Sequence, residues 1–398
     1  MKKLLIDAQC EVLANYPVGG MALAAGKHSH VTVQVERLLT AVCSDEAVEL
    51  VPQENATEAS VPGLPLTESS VGWLWQADSE EFNARCEASN CRIGLQTSGT
   101  AGKPKLVWHR LTTLVRGVRR GERYANATWG LCYDPARMAG LQVILQAICN
   151  QNTIVNLVKL PPDRAFQTIA EHGVSHLSAT PTYLRLLATT GKQAAAVQHV
   201  ASGGEAGQTG LSQAVRRTFP AATYRNIYAS TELGSLLTSK GEIFTVPAEL
   251  VDKIRVFEGQ LEVHRSLLGA SVADHCADEF FATSDQVHVV SDRPLTFQFT
   301  ARRGDEINVG GNKVCPQKVE RELLQLPQVA DVVVYGRQNS VTGSIVCCDI
   351  VTRTSTPFGV GEIRRGVGDR LAAYELPRIV RLVDRLETNE AGKKVRAK

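Results

Sequence analysis

From residue 94 to residue 237 the chain alternates short apolar runs with amphipathic helical patterns, and that rhythm leaves few architectures open. TIVNLVKL (153–160) reads as a buried strand, and PDRAFQTIAEHG after it as a helix closed by Gly173. HLSATP is another strand, followed by the helix TYLRLLATTG. Strands separated by helices pair in parallel through crossovers, so the expectation is a large layered α/β domain. Between residues 261 and 290 the pattern shifts to period-two alternation with turn signals, as in an antiparallel sheet. A smaller α+β unit follows ARRGDE: the strand INVGG, the helix PQKVERELLQL, strands ADVVVYG and SIVCCDIV, the helix GEIRRGVGDRLAAY and the strand RIVRLVD. The expected division is therefore 1–301 and 302–398.

Composition narrows the partners. The 398 residues are 43% hydrophobic and 21% charged, a globular balance. A formal net charge of +2, with Lys and Arg scattered, supplies no field to draw in nucleic acid or an anionic membrane. No apolar run approaches the ~18 residues of a membrane span. The opening MKKLLIDAQC has two lysines before apolar residues, but Asp7, Gln9 and Glu11 interrupt the stretch an export signal needs. The ten cysteines lack framework spacing and read as reduced thiols, so a cytoplasmic location is expected. Cys86 and Cys91, with His109 nearby, have no second ligand pair and read as ordinary thiols.

The segment LQTSGTAGKPKLV (95–107) carries the first chemistry. Glycines let the backbone turn sharply and bring N–H groups close to an anion; Thr97, Ser98 and Thr100 add hydroxyl donors, and Lys103 and Lys105 add charge. Such a loop suits phosphate. It is neither a Walker loop, because Gly99 and Gly102 are three apart and Pro104 follows the lysine, nor a dinucleotide fingerprint. A solvated surface turn has the same composition, and this stretch alone does not choose between them.

The order TSGTxGxPK resembles the nucleotide loop of the adenylate-forming superfamily, which includes acyl-CoA synthetases, aryl-acid ligases and peptide-synthetase adenylation domains. Further stretches follow in that family's order. SGGEAG (202–207) resembles its glycine segment beside adenine, NIYASTE (226–232) its Tyr-Gly-x-Thr-Glu motif, and TSDQV (283–287) its Thr-Gly-Asp. RRGDEINVGGNKVCPQKVE (302–320) resembles the hinge and first C-terminal strand, and LETNEAGKKVR (386–396) the closing Gly-Lys segment. The resemblance implies a large N-terminal domain with a small mobile C-terminal lid, and a reaction in which a carboxylate attacks the α-phosphate of ATP. It implies that Thr97, Ser98, Gly99, Thr100 and Lys105 embrace the departing phosphates, that Gly204, Glu205 and Tyr228 lie at the adenine, and that Asp285 accepts from the ribose hydroxyls. Thr231 would bond the α-phosphate, Glu232 would hold Mg²⁺, Arg302 would share the ribose and phosphate work, and Lys393 would be the mobile lysine of adenylation.

Departures from the family pattern shape the rest. Ala229 and Ser284 stand where the family has glycines, changes expected to be absorbed by ordinary dihedrals. Gly304 stands at the pivot, where Asp or Lys is common. Arg137 replaces the histidine of the family's His-x-x-Gly stretch, and faces either a second acidic group of the substrate or solvent. Fewer residues precede the phosphate loop than is usual, so 1–90 read as a shortened first subdomain, as in stand-alone ligases that load aryl acids onto carrier proteins. The layout implies an ATP-dependent acid–thiol ligase acting on a small aryl or short acyl acid. Its acceptor would be the phosphopantetheine thiol of a carrier protein or CoA, with Gly310 and Gly311 leaving room for the arm. Arg137, Met138, Ala139, Thr180 and Gly203 are candidate walls of the acid pocket. Two alternatives stay open: an amide ligase that shares the adenylation half, and a non-catalytic nucleotide-binding relative. His109, His172, His176, Cys347 and Cys348 read as structural.

Overall fold

The computed structural model describes residues 3–7, 12–15, 34–35, 37–38, 41, 47–50, 84, 86–97, 105–205, 210–302, 304–339, 343–353, 359–388 and 393–396. An eight-stranded sheet forms its centre, in the order Gly234–Ser239, Thr223–Ser230, His199–Gly203, His176–Ala179, Thr128–Leu131, Thr153–Asn156, Lys3–Asp7 and Val12–Asn15. Its inner strands pair in parallel, and the outermost strand at each edge is antiparallel. The helices Pro162–Glu171, Pro181–Thr189 and Leu211–Thr218 cover one face through a core that includes Leu177, Leu184, Val200 and Phe219. The helix Met138–Ile148 belongs to a second core with Leu95, Leu111 and Leu131. Both faces of the sheet are thus buried, which is why its strands read as apolar runs without alternation.

Two smaller sheets complete the N-terminal part. In one, Ala47–Leu50, Arg92–Gln96 and Leu106–Arg110 lie side by side, the last two as an antiparallel hairpin. The other, over 243–302, has five strands, each pairing antiparallel with its neighbour. Its last strand, Leu295–Arg302, runs to the expected boundary, and Gly304 beyond it has φ 96°. A residue with a Cβ is strained at that dihedral, so Gly304 gives the connection a turn that aspartate or lysine would make at a cost.

The C-terminal unit packs a mixed sheet against the helices Pro316–Leu323 and Val360–Val367. The strands Ile307–Val309 and Asn312–Val314 join through Gly310 and Gly311, both at positive φ, the two-residue turn that matches strand twist.

Candidate active site

The two residues that flank the expected phosphate loop, Thr97 and Lys105, are bonded to each other. Thr97 N–H donates to Lys105 O at 2.8 Å, and Lys105 N–H donates to Thr97 Oγ1 at 3.0 Å, closing the hairpin between Arg92–Gln96 and Leu106–Arg110. Leu95 and Val107, paired across that hairpin, are buried and anchor it. Ser98, Gly99 and Thr100 lie outside the described residues. Below the loop, Gln96 O accepts from Arg137 Nη1 at 2.9 Å. Arg137 precedes the helix Met138–Ile148 and lines a cavity of about 800 Å³ along one face of the central sheet. It therefore faces the cavity.

Gly203 and Gly204 end the strand His199–Gly203 at one end of that cavity. A Cβ on Gly203 would meet Ile227 O at 2.8 Å, and Gly204 has φ 84°, so neither position accepts a side chain without distortion. Glu205, expected at the nucleotide, is hydrogen-bonded within the chain. Its Oε2 accepts from Thr182 N–H at 3.0 Å and Thr182 Oγ1 at 2.8 Å, and its Oε1 accepts from Lys394 N–H at 2.8 Å. The reason is physical: a buried carboxylate needs several donors, and the N-terminus of the helix Pro181–Thr189 supplies them. Burial pushes its pKa up, with Lys394 and the Thr182 bonds opposing. Thr180 caps the same helix by accepting from Tyr183 N–H at 3.1 Å and is buried, so it serves the scaffold rather than the pocket wall.

The strand Thr223–Ser230 delivers the next group. Tyr228 packs its ring 4.5 Å from that of Phe299, and its hydroxyl donates to Asp285 Oδ2 at 2.7 Å. Thr231 lines the cavity, and its carbonyl lies 2.6 Å from His109 Nε2. His109 is fully buried, and its ring fills the space a side chain on Gly269 would need, a Cβ there coming within 2.6 Å of Cε1. Glu232 O accepts from Gly269 N–H at 2.7 Å, so both residues of the Thr-Glu pair are fixed through their backbone. The sequence reads His109 as a structural histidine, and the glycine that makes its room stands 160 residues away.

Asp285 and Arg302 face each other as register partners in the five-stranded sheet, with Arg302 Nε 3.8 Å from Asp285 Oδ1. Burial raises the Asp285 pKa, while Arg302 and the Tyr228 bond oppose that shift. Ala229 has an ordinary backbone, as expected. Ser284 does not: its φ is 68°, in the left-handed region, inside the strand that carries Asp285. The expectation of ordinary dihedrals at Ser284 is corrected.

Lys393 completes the site from the C-terminal unit. Its Cε would lie 3.5 Å from a Cβ on Gly204, and it lines the cavity with Thr231 and Arg137. Burial lowers its pKa, Arg302 and Arg137 push the same way, and Glu205 and Glu232 push back. The chain behind it is pinned to both domains. Lys394 Nζ donates to Asp331 Oδ1 at 2.6 Å and Val332 O at 2.7 Å, and Arg185 Nε of the N-terminal domain lies 3.3 Å from Asp331 Oδ1. Arg396 reaches Glu320 Oε1 and Val334 O, each at 2.6 Å.

The N-terminal part and the terminal segment thus line one cavity together, with Arg137 and Lys393 as cations beside Thr231. Residues 2–254 match the family model described as AMP-binding enzyme, and residues 318–393 match that of the AMP-binding enzyme C-terminal domain. The chain belongs to the AMP-binding enzyme family. It is 26% identical over 335 residues to the p-hydroxybenzoic acid–AMP ligase FadD22 of Mycobacterium tuberculosis, a match covering 75% of this chain and 47% of that one. The chain thus spans about half the length of that relative. A 2-succinylbenzoate–CoA ligase of Bacillus licheniformis is 25% identical over 337 residues, 76% of this chain and 68% of the other. In fold, the chain matches the O-succinylbenzoate coenzyme A synthetase of Bacillus subtilis, solved with ATP and magnesium ion. The TM-score is 0.63 at 17% identity, covering 99% of this chain and 96% of that one.

Proposed function

We propose that this chain is an ATP-dependent, AMP-forming acid–thiol ligase. The observation that carries the reading is Lys393, drawn from the far end of the sequence to the cavity wall beside Gly204. A carboxylate oxygen of the acid attacks the α-phosphorus of ATP, the bond to the bridging oxygen breaks, and pyrophosphate leaves. The thiol sulfur of a phosphopantetheine, on CoA or a carrier protein, then attacks the acyl carbon; the bond to AMP breaks and the thiol proton passes to solvent.

In this reading Lys393 and Arg137 neutralise the meeting anions, Thr97 and Lys105 hold the phosphates with Ser98, Gly99 and Thr100, and Thr231 bonds the α-phosphate. Asp285 accepts from the ribose, with Arg302 beside it, and Tyr228 and Gly204 lie at the base. Glu232 would hold a magnesium ion: its carboxylate lies close enough for its charge to act on both Lys393 and Asp285, and this ion commonly takes one or two carboxylates plus substrate phosphates. When bound, the ion would neutralise phosphate charge. Among the described residues no helix is long and apolar enough to cross a membrane, which is compatible with a cytoplasmic enzyme.

The test is exchange of labelled pyrophosphate into ATP, driven by a panel of aryl, acyl and amino acids, for the unaltered chain and Lys393→Ala. Exchange driven by one acid class and abolished by the substitution is expected. No exchange with any acid, from folded protein that binds ATP, would overturn the reading in favour of a nucleotide-binding relative without turnover. CoA and a phosphopantetheinylated carrier protein, offered in turn to the preformed adenylate, identify the acceptor.

A further inference from the structure

The cavity does not stop near Lys393. It follows the sheet face past Ser178, Ala201 and Ile227 to the opposite ends of the same strands, where His176 and His199 stand abreast. His199–Gly203 separates these two ends by ~13 Å at the usual rise per strand residue. An aryl acid with its carboxylate at Lys393 leaves the far half empty.

The far half is chemically distinct. Its lining includes Arg119, Arg123 and Arg225, and among the described residues none of these has a carboxylate partner. Across the whole lining, seven cations face two carboxylates, Asp134 and Glu249. Asp134 is buried and accepts from Ala136 N–H at 2.8 Å, which leaves Glu249 as the acid on the rim. His176 lies between Trp129, 4.7 Å away, and His199, 4.4 Å away, measured between ring centres. It is 3% exposed; its Nδ1 meets Ser175 Oγ at 2.9 Å, and its Nε2 has no hydrogen-bond partner among the described residues. An apolar channel that ends in unpaired guanidinium groups and a buried nitrogen in need of a partner is shaped for a ligand with an anionic tail. Arg137 cannot serve that tail, because its bond to Gln96 O holds it at the adenylating end.

We infer that the acid taken by this site carries a second anionic group, held by Arg123 and Arg225 at the end of the cavity remote from Lys393. The inference rests on the adenylating reading and adds the substrate class: long α,ω-dicarboxylates, or rigid acids of equal span with a terminal carboxylate.

The experiment compares α,ω-dicarboxylates of graded length, from adipate to tetradecanedioate, with monocarboxylates of the same length in pyrophosphate exchange. The unaltered chain is compared with Arg123→Gln, Arg225→Gln and the double variant. Long dicarboxylates are expected to exceed their monocarboxylate partners in kcat/KM by about fivefold to tenfold, the scale of ion pairs at a partly solvated rim. The double variant is expected to erase that preference and leave the monocarboxylate rate unchanged. Equal use of both series, an optimum at the shortest diacid, or an equal loss on both series in the variants would overturn the inference while the ligase reading stands. Thermal shift with the diacids and no ATP separates the two failures. A shift present in the unaltered chain and lost in the double variant upholds the anionic-tail site even without exchange; its absence together with no exchange sinks both.

Discussion

Asp285 accepts the Tyr228 hydroxyl at 2.7 Å, and this bond joins the last parallel strand of the central sheet to the five-stranded sheet. It fixes the carboxylate proposed to receive the ribose. Tyr228→Phe removes the donor and keeps the ring against Phe299. A hydrogen bond to a charged group is worth about 1.5–3 kcal/mol, so KM for ATP is expected to rise roughly tenfold with a smaller change in stability. Because burial raises the Asp285 pKa, nucleotide affinity falls as pH drops through a midpoint above the usual carboxylate range. The Tyr228 bond opposes that shift, so the midpoint in Tyr228→Phe lies higher still; ATP titrations across pH check both.

The Lys394–Asp331 contact is expected to hold the lysine-in arrangement. Lys394→Met leaves Asp331 paired with Arg185 at 3.3 Å, so folding persists. Losing one buried charged bond is expected to slow pyrophosphate exchange by about tenfold or more. Transfer from preformed acyl-adenylate to thiol is expected to be unchanged or faster. Equal loss in both half-reactions would show that the contact supports the fold rather than the domain pose.

Ser284 and Gly304 carry opposite backbone predictions. Ser284→Gly relieves a left-handed serine and is expected to stabilise the chain by about 1 kcal/mol, less the added freedom of the unfolded glycine. Gly304→Ala meets no atom within 4 Å, so its cost is torsional, of order 1–2 kcal/mol, and falls on the connection between the domains. Thermal melts read the first. The ratio of adenylation to thiol-transfer rates reads the second.

His109→Ala removes the group that meets the Thr231 carbonyl and is expected to lower kcat of exchange about tenfold, with His109→Gln recovering part of it. A loss confined to KM for the acid would count against this positioning role.

Burial, with His199 and Arg123, lowers the His176 pKa to about 4, and burial lowers that of His109 in the same direction. Groups depressed in the folded state favour it above their unfolded value near 6.5. Stability on the order of 1–3 kcal/mol is therefore lost between about pH 6.5 and pH 4. Denaturant titrations across that range in the unaltered chain and His176→Gln check the sign: the variant has the shallower slope.

Strands and helices from 128 to 218 were legible because each carries its own periodicity, and the family because its motifs are short, local and in a fixed order. What the sequence hides is pairing across distance. Asp285 and Arg302 meet only through the register of a hairpin, and Tyr228 finds Asp285 only once two sheets pack. Glu205 sits in a glycine segment that reads as nucleotide-binding, yet its carboxylate turns to the donors that burial requires, Thr182 and Lys394. Arg185, inside an apolar helix that reads as plain scaffold, is buried against Asp331 of the other domain.

The hairpin of Thr97 and Lys105, the central strand of Tyr228, the antiparallel pair of Asp285 and Arg302, and the terminal segment of Lys393 belong to separate parts of the fold, and the proposed nucleotide site needs all of them. Under that proposal, nucleotide binding becomes a readout of complete assembly. A chain caught midway in synthesis, or clipped ahead of Lys393, would keep most of its folded mass yet lose the grip, so ATP protection against proteolysis should emerge abruptly with the last few residues rather than grow with length.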